Sequence, residues 1–299
     1  MKTSNKKPEI NNLKSSAAPI VSIQGNLGSY SHIAAKEFVK EFLNDTKFGL
    51  LERNSFDEVF ADLQNHEADF IVIPIENSTH GSVYQNYDNL SKYHFTILGE
   101  LYLKINFHLI THKGAKLEDI KILYTHPVGM NQIRGFLREN PKITPSEYYD
   151  TAGSVKHVKE RGKKEEAAAA SRFAAELYEM QILQENIHEN SKNYTRFFMI
   201  GNGSSFQVEN KNKTTIQFTL GEEAGSLYKS LRCFADRNIS LTKIESRPII
   251  NTEWDYRFYL DIMAGEQEEK LQNAFNELKS YVREFGIIGS YRRGEYIET

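Results

Sequence analysis

The sequence predicts an α/β protein with two lobes, followed by a smaller unit of different topology. Two observations support this prediction. Apolar strands alternate with helices from Val21 onward, which is the order typical of parallel α/β sheets. After a segment rich in Gly, Ser, Asn and Lys at 202–213, which we interpret as a linker, the order changes. Residues 214–296 show strand, helix, strand, strand, helix and strand, the ferredoxin-like βαββαβ pattern.

Composition excludes several classes of protein. The chain has 299 residues and a formal net charge of −3, so it lacks the basic footprint of a nucleic-acid-binding protein. No apolar run approaches the ~20 residues of a membrane span. Residues 1–20 carry Lys, Asn and Ser without the apolar core of a signal peptide, and we expect a flexible tail there. The single cysteine, Cys233, excludes an intrachain disulfide and favours the reducing cytoplasm.

The first lobe begins with a strand, a Gly-rich turn and a helix. Val21–Gln24 is the strand, and Ser31 lies in the first turn of the helix. A helix N-terminus presents free N–H groups and a partial positive charge, which suits a carboxylate or a phosphate. The alternative is that the glycines only make a tight turn and that a serine caps the helix.

The third strand of the first lobe ends in a polar loop. A strand at 48–52 and a helix at 56–64, opened by a Ser55–Glu58 capping box, precede the buried strand 69–74. Ligands of such sheets bind beyond the carboxyl ends of the strands. We therefore expect Asn77 and Ser78 at a binding site, with a helix opening at Gly81–Ser82. Glu76 is either a charge near the pocket or an acceptor for backbone amides.

The second lobe is predicted over 96–189, and the first lobe over 21–95 and 190–201. A long strand-like segment, 96–111, crosses between them. The predicted elements that follow are a strand at 121–124, a helix at 127–137, a strand at 143–149, a helix that opens at Asp150-Thr151 and an Ala-rich helix at 165–179.

The strand Asn193–Gly201 places a hydroxyl beside a guanidinium. Side chains alternate along a strand, so Thr195 and Phe197 share one face while Arg196 lies on the other. We expect Thr195 in a cleft between the lobes. Arg196 either binds a carboxylate as a two-pronged donor or forms a structural ion pair behind the strand.

Four segments together resemble the prephenate dehydratase family from about Val21 to about Arg292. They are Gly25-x-x-Gly28-Ser-Tyr30-Ser31-His32, Pro74-Ile-Glu76-Asn77-Ser78-x-x-Gly81-Ser-Val83, Asn193-x-Thr195-Arg196-Phe197 and Leu241-Thr-Lys-Ile244-Glu245-Ser246-Arg247-Pro248. The last, with Gly225-Ser-Leu227-Tyr228, looks like the phenylalanine-responsive ACT domain of that family. The resemblance implies a two-lobed, periplasmic-binding-protein-like catalytic domain over 21–201. It also implies conversion of prephenate to phenylpyruvate, water and CO2 in L-phenylalanine biosynthesis.

The same resemblance implies residue roles, with Thr195 as the catalytic hydroxyl. The implied substrate-binding positions are Asn77, Ser78, Thr151, Arg196, Phe197, Ser31 and Gln132. The implied effector-binding positions are Gly225, Ser226, Leu227, Glu245, Ser246, Arg247 and Pro248. Val128 stands where the family usually has Gln, so we expect Gln132 to replace it, and Ser240 stands where the family usually has Asn.

The expected partners are prephenate, L-phenylalanine as effector, and further copies of the chain in a homodimer or homotetramer. We expect no metal and no organic cofactor, because the reaction requires none and the histidines show no metal-ligand spacing. Two alternatives stay open: an arogenate dehydratase, and a non-catalytic sensor of aromatic amino acids. For Glu245 and Arg247, the alternative to effector binding is pairing within their own sheet.

Overall fold

The structure is a computed structural model, and it describes residues 18–43, 47–203, 208–250 and 252–299. Most of the predicted tail and residues 204–207 of the predicted linker lie outside these ranges. Up to residue 201 the elements are β1 (Ile20–Gln24), α1 (Tyr30–Phe42), β2 (Gly49–Arg53), α2 (Phe56–Gln64), β3 (Phe70–Asn77), β4 (Gly81–Ser82), α3 (Tyr84–Tyr93), β5 (Thr96–Lys104), β6 (His108–Thr111), β7 (Ile122–Thr125), α4 (Pro127–Gln132), α5 (Arg134–Glu139), β8 (Thr144–Glu147), α6 (Thr151–Arg161), β9 (Glu166–Ala170), α7 (Arg172–Leu177), β10 (Gln181–Gln184) and β11 (Tyr194–Gly201). The later elements are β12 (Lys213–Leu220), α8 (Ser226–Ala235), β13 (Leu241–Pro248), β14 (Tyr256–Ile262), α9 (Glu269–Leu278), β15 (Val282–Tyr291) and β16 (Tyr296–Ile297).

The first lobe is built on a mixed sheet with the order β16-β5-β11-β3-β1-β2, and β4 pairs with β3. Phe197 and Met199 of β11 pack with α1 on one face of this sheet. Phe198 and Ile200 pack on the other face with α2 and α3. This alternation confirms the predicted strand and fixes which residues of β11 share a face.

The second lobe is a five-stranded sheet with the order β10-β6-β9-β7-β8. β5 belongs to the first sheet and β6 to the second, so the chain crosses between lobes after Lys104. The predicted lobe boundary at residue 96 is therefore wrong, because Thr96–Lys104 pairs along its length with β11.

The prediction of one Ala-rich helix over 165–179 is also wrong. β9 lies between β6 and β7 with all five of its residues buried, and only Arg172–Leu177 is helical. Ala168 and Ala170 pack against α6, while Ala167 and Ala169 face the opposite core. Burial on both faces of a sheet outweighed the intrinsic helix preference of alanine.

Three smaller differences concern element ends. Gly81–Ser82 forms a short strand rather than opening a helix, and α3 begins at Tyr84. The helix predicted over 127–137 is split at Ile133 into α4 and α5. The strand β10 had no counterpart in the sequence prediction. By contrast, α2 and its Ser55–Glu58 capping box are as predicted.

The C-terminal unit is an antiparallel sheet with the order β13-β14-β12-β15, and its two helices cover one face. This is the ferredoxin-like arrangement predicted from the βαββαβ order. Tyr259 and Tyr291 of this domain pack into the core of the first lobe, beneath Phe198 and Ile200. The chain then returns to the first sheet, where β16 pairs with β5.

Candidate active site

Thr195 lies near the start of β11, opposite Asn77 on β3 and Leu103 on β5. It is half-buried, on the face of the sheet that carries α1. Its Oγ1 accepts a hydrogen bond from Asn77 Nδ2 at 2.9 Å. Position 195 is thus held by a strand on each side and by a side-chain amide.

An amide cluster, made of Asn77, Gln132 and Asn193, lies beside this hydroxyl and contacts it through Asn77. Asn77 Nδ2 also donates to Asn193 Oδ1 at 2.8 Å, and Asn193 Nδ2 donates to Gln132 Oε1 at 2.5 Å. Gln132 and Asn193 are buried. Because Gln132 ends α4 in the second lobe, the cluster connects the two lobes beside Thr195.

The loop after β3 is ordered by Asn77. Its Oδ1 accepts the backbone N–H groups of Thr79 and His80 at 2.9 and 3.0 Å. Partial burial lowers the pKa of His80, so its ring is neutral at neutral pH. A cavity of about 240 Å³ lies against this loop, between Thr79 and His80 on one side and Gln132 on the other.

Ser78 connects the loop to the start of β11. Its Oγ accepts the backbone N–H of Tyr194 at 3.0 Å and donates to the carbonyl oxygen of Lys192 at 3.2 Å. Ser78 therefore lies directly beside the residue that precedes Thr195.

Ser31 and Thr151 lie at two helix N-termini that meet at the junction of the lobes. Ser31 is buried in the first turn of α1, and Thr151 is the first residue of α6. The turn before α1 contacts the cap of α6, because the backbone N–H and Nδ2 of Asn26 donate to Asp150 Oδ2 at 3.1 and 2.6 Å. Ser29, rather than Ser31, caps α1.

The structure contradicts the prediction that Arg196 binds a substrate carboxylate. Its guanidinium is buried on the face opposite Thr195, where Nε donates to Glu100 at 2.6 Å and Nη1 to Asp261. Nη2 donates to Tyr291 at 3.1 Å. Burial opposes the charge, but the two carboxylates raise the pKa of Arg196 above its ordinary value. The structure therefore contains the alternative, in which Arg196 forms a structural ion pair with Glu100 and Asp261.

Phe197 and Glu76 also lie away from the amide cluster. Phe197 is 2% exposed in the core beneath α1, so the prediction that it lines a substrate pocket is wrong. Glu76 faces the ferredoxin-like domain, with Lys243 Nζ at 3.0 Å and Arg196 Nη1 at 3.9 Å. Val128 is exposed at the start of α4. Gln132, one turn later, is the glutamine that reaches the cluster.

The predicted effector residues fall in two groups. Gly225, with φ at +81°, precedes α8, Ser226 begins that helix and Leu227 packs on the domain core. On β13, Arg247 pairs with Asp88 of α3 at 2.9 Å. Glu245 accepts from Ser82 and lies 3.4 Å from Lys243 in its own strand. Both thus contact the first lobe. The alternative of pairing within their own sheet holds in part for Glu245, through Lys243, whereas Arg247 pairs outside the sheet with Asp88. Ser246 and Pro248 are exposed on the opposite face.

Asn193 is the residue of the cluster that the sequence analysis did not assign to the site. It is 1% exposed and lies between two other amides, one from each lobe. The signal was present, because Asn193 stands two positions before Thr195 in the motif. Within the described ranges, no three His, Cys, Asp or Glu side chains are placed to share a metal ion. No helix in these ranges is long and apolar enough to cross a bilayer.

The fold and the amide cluster define a two-lobed α/β protein with a polar site between its lobes and a ferredoxin-like domain behind it. Residues 21–205 match the family Prephenate dehydratase. The chain belongs to the prephenate dehydratase family.

Two relatives are similar over most of this chain. One is the bifunctional chorismate mutase/prephenate dehydratase of Buchnera aphidicola subsp. Acyrthosiphon pisum (strain APS), 33% identical over 271 residues, which are 90% of this chain and 70% of the relative. The other is arogenate dehydratase 2 of Petunia hybrida, 34% identical over 286 residues, with 91% of this chain and 71% of the relative covered.

Two solved structures have the same overall fold. A prephenate dehydratase from Arthrobacter aurescens in complex with L-Phe has a TM-score of 0.81 and 25% identity, and 92% of this chain and 90% of that one are covered. A protein described as a novel type of quorum quenching acylase has a TM-score of 0.82 and 28% identity, with 92% and 98% covered.

Proposed function

We propose that this protein converts prephenate to phenylpyruvate, CO2 and water in L-phenylalanine biosynthesis, with Thr195 as the catalytic hydroxyl. Family membership supports the reaction. The observation that supports the role of Thr195 is the bond that its Oγ1 accepts from Asn77, beside an amide cluster that joins the two lobes.

The direction of this bond matters for the chemistry. A threonine hydroxyl carries one proton and two acceptor lone pairs. Because Asn77 Nδ2 occupies Oγ1 as a donor, the hydroxyl proton is free to point toward a substrate oxygen. The amide cluster therefore fixes the oxygen and leaves its proton available.

The reaction itself needs little from the protein. The bond to the ring carboxylate breaks, its electrons move through the ring, and the C–O bond to the ring hydroxyl breaks at the far end. The departing hydroxide takes up one proton to become water. Thr195 donates a hydrogen bond to that oxygen as charge develops on it and keeps its own proton, while the proton that completes the water comes from solvent. No carboxylate or imidazole needs to act as a base in this scheme.

The substrate is a dianion, and its two carboxylates must be held by neutral donors once Arg196 is assigned to an ion pair. We propose Ser31 and Thr151, which lie in the first turns of α1 and α6. The positive end of the α1 dipole stabilises an anion nearby. At α6 the Asp150 carboxylate already accepts the N–H groups of Ala152 and Gly153, so the Thr151 hydroxyl is the proposed donor there. Asn77 and Ser78 complete the proposed pocket on the side of β3.

Thr195→Ala tests the proposal. Loss of one such donor lowers kcat by about 10²–10³ with KM nearly unchanged, and Thr195→Ser should retain much of the rate. The measurement is phenylpyruvate formation from prephenate. Thr144→Ala, on an exposed edge strand of the second lobe, is the matched control. Turnover of Thr195→Ala near that of the unmodified protein would end the proposal.

Other activities are separated by direct assays. Side-by-side kinetics on prephenate and arogenate decide the substrate, and failure to release phenylpyruvate would favour a binding-only sensor. Acyl transfer is not supported, because an activated hydroxyl nucleophile needs a base, and the Asn77 amide bonded to Thr195 cannot accept its proton.

We further propose that the ferredoxin-like domain is a regulatory ACT domain that binds L-phenylalanine between two copies of the chain. The exposed face of β13 with Ser246 and Pro248, and the turn at Gly225–Leu227, supply the proposed site. The Arthrobacter neighbour in complex with L-Phe supports the choice of ligand. A coupling of about 1–3 kcal/mol is expected. Unchanged activity and melting temperature at saturating phenylalanine would reject regulation, and a monomer by light scattering would reject the dimer or tetramer.

We also propose a cytoplasmic location, which the single cysteine supports. Fractionation of cells followed by immunodetection checks it. Recovery of the protein in an organelle or outside the cell would overturn it.

A further inference from the structure

The end of the chain leaves the ferredoxin-like domain and lies along the edge of the first sheet. β16 runs parallel to β5, with Tyr296 opposite Tyr102. The backbone N–H of Tyr102 donates to the carbonyl oxygen of Glu295 at 3.0 Å. This C-terminal tail, residues 292–299, covers an edge whose backbone groups β5 would otherwise present to solvent.

Side chains of the tail contact both β5 and the start of β11. The ring of Tyr296 stacks on Tyr102, with centroids 4.7 Å apart, and meets Tyr194 edge-on at 5.1 Å. One carboxylate oxygen of Glu298 accepts from the Tyr194 hydroxyl at 2.9 Å, and the other pairs with Lys104 Nζ at 2.7 Å. These bonds lower the pKa of Glu298, Lys104 contributing most, so the carboxylate is charged at neutral pH.

Tyr194 immediately precedes the catalytic threonine and is tied to the polar loop. Its carbonyl oxygen accepts the backbone N–H of Ser78 at 2.8 Å and lies 3.3 Å from Asn77 Nδ2. Asn77 Nδ2 is the same atom that donates to Thr195. A shift of Tyr194 would therefore move Thr195 relative to its amide partner.

The tail also reaches the crossover between the lobes. Thr299 Oγ1 donates to the carbonyl oxygen of Lys104 at 3.0 Å, and Asn106 Nδ2 donates to the backbone oxygen of Thr299 at 2.9 Å. The carbonyl oxygen of Asn106 accepts from Tyr30 in the first turn of α1. The Glu298 side chain is 66% exposed, so its pair with Lys104 contributes little to overall stability, and its effect is local.

We propose that the C-terminal tail positions Thr195 for the dehydration, with Glu298 as the positioning residue that holds Tyr194. The tail thereby makes a physical connection from the ferredoxin-like domain to the catalytic hydroxyl. This inference rests on the proposed function in one respect only: the effect of the tail on Thr195 is measured as the turnover of prephenate.

Two point variants remove the same bond. Glu298→Ala and Tyr194→Phe should each lower kcat about three- to tenfold while KM changes less than about twofold, because a misplaced catalytic group loses rate rather than affinity. The double variant should be no slower than the slower single variant. Glu295→Ala is the matched control, since it breaks a 2.8 Å pair with Arg292 within the tail.

Truncation after Glu295 removes the contacts that Tyr296, Glu298 and Thr299 make with β5, Tyr194 and Lys104. The expected loss of kcat is about 10- to 100-fold. Hydrogen–deuterium exchange of the segment that contains Thr195 should become faster in the truncated protein. This measurement does not depend on turnover.

The outcomes separate the two claims. Unchanged kcat and unchanged exchange in both the truncated protein and Glu298→Ala would overturn the inference, as would an equal loss in Glu295→Ala. If the truncated protein does not fold, Glu298→Ala and Tyr194→Phe decide. If the full chain does not turn over prephenate but truncation still accelerates exchange at Thr195, the proposed function fails and the positioning role stands.

Discussion

Replacing Asp261 by Asn should weaken the contact between the ferredoxin-like domain and β11. Asp261 is 3% exposed on β14 and accepts from Arg196 and from Thr215 Oγ1, the latter at 2.7 Å. Lys213 Nζ lies 3.8 Å from it and 2.9 Å from Glu100. Two buried cations therefore face two buried carboxylates across the domain boundary.

The substitution leaves two cations facing one carboxylate. Removal of one partner from a buried ion pair costs about 3–5 kcal/mol. Because an Asn oxygen still accepts from Thr215, we expect the lower end, about 3 kcal/mol, which is a large part of a typical stability of about 5–15 kcal/mol. Burial alone would raise the pKa of Asp261, but Arg196 and Lys213 hold it below its ordinary value. Its contribution is therefore present above about pH 4 and is lost as the pH falls through the lowered pKa.

Urea denaturation followed by circular dichroism measures the effect at pH 7. Glu284→Gln is the matched control: it breaks an exposed pair with Arg257 in the same domain and should cost about 0–1 kcal/mol. If Asp261→Asn costs no more than this control, the buried cluster does not hold the domains together. The same variant should also lower kcat, because Asp261 holds Arg196, which directly follows Thr195 in the chain.

Three further predictions concern packing, titration and the amide cluster. A β-carbon at Gly99 would overlap the Phe42 ring, so Gly99→Ala should lose about 1–3 kcal/mol in urea denaturation and Phe42→Leu should recover part of it; equal stability would refute this packing. Burial, with a smaller effect of Lys36, lowers the pKa of His32 to about 4. The unfolded chain takes up this proton near pH 6.5, so the free energy of unfolding should fall as the pH drops from about 6.5 to 4. If the urea midpoint of His32→Asn falls with pH as steeply as that of the unmodified protein, the prediction is wrong. Asn193→Ala should lower kcat at least about tenfold with the circular dichroism spectrum unchanged, and an unchanged kcat would show that the cluster does not position the Thr195 hydroxyl.

Features that depend on neighbouring residues could be predicted from the sequence. The Ser55–Glu58 capping box and the helix it opens depend on four adjacent positions, and both are as predicted. The βαββαβ order depends on local periodicity and turn residues, and it gave the ferredoxin-like topology. The face shared by Thr195 and Phe197 follows from strand alternation alone.

Features that depend on distant residues could not be predicted in the same way. The helix propensity of 165–179 is real, but the burial of β9 between β6 and β7 is decided by strands more than 40 residues away. The ion pairs of Arg196 depend on Glu100 and Asp261, which are 96 and 65 positions from it in the chain. Gln132 reaches Asn193 across 61 positions. Residue type identified the polar groups, and only the fold decided which of them meet.

The arrangement of β11 gives the ferredoxin-like domain a physical connection to the strand that carries Thr195. Consecutive residues face opposite ways, so Thr195 points to the amide cluster and Arg196 to Asp261 of the ferredoxin-like domain. The strand is hydrogen-bonded on both edges, to β3 and β5, which restricts independent movement of the two side chains. A displacement of the ferredoxin-like domain that moves Arg196 would act on the backbone next to Thr195. The tail contacts the same strand at Tyr194, whose side chain lies on the same face as that of Arg196. Thr195 therefore lies in the chain between one residue that contacts the tail and one that contacts the ferredoxin-like domain.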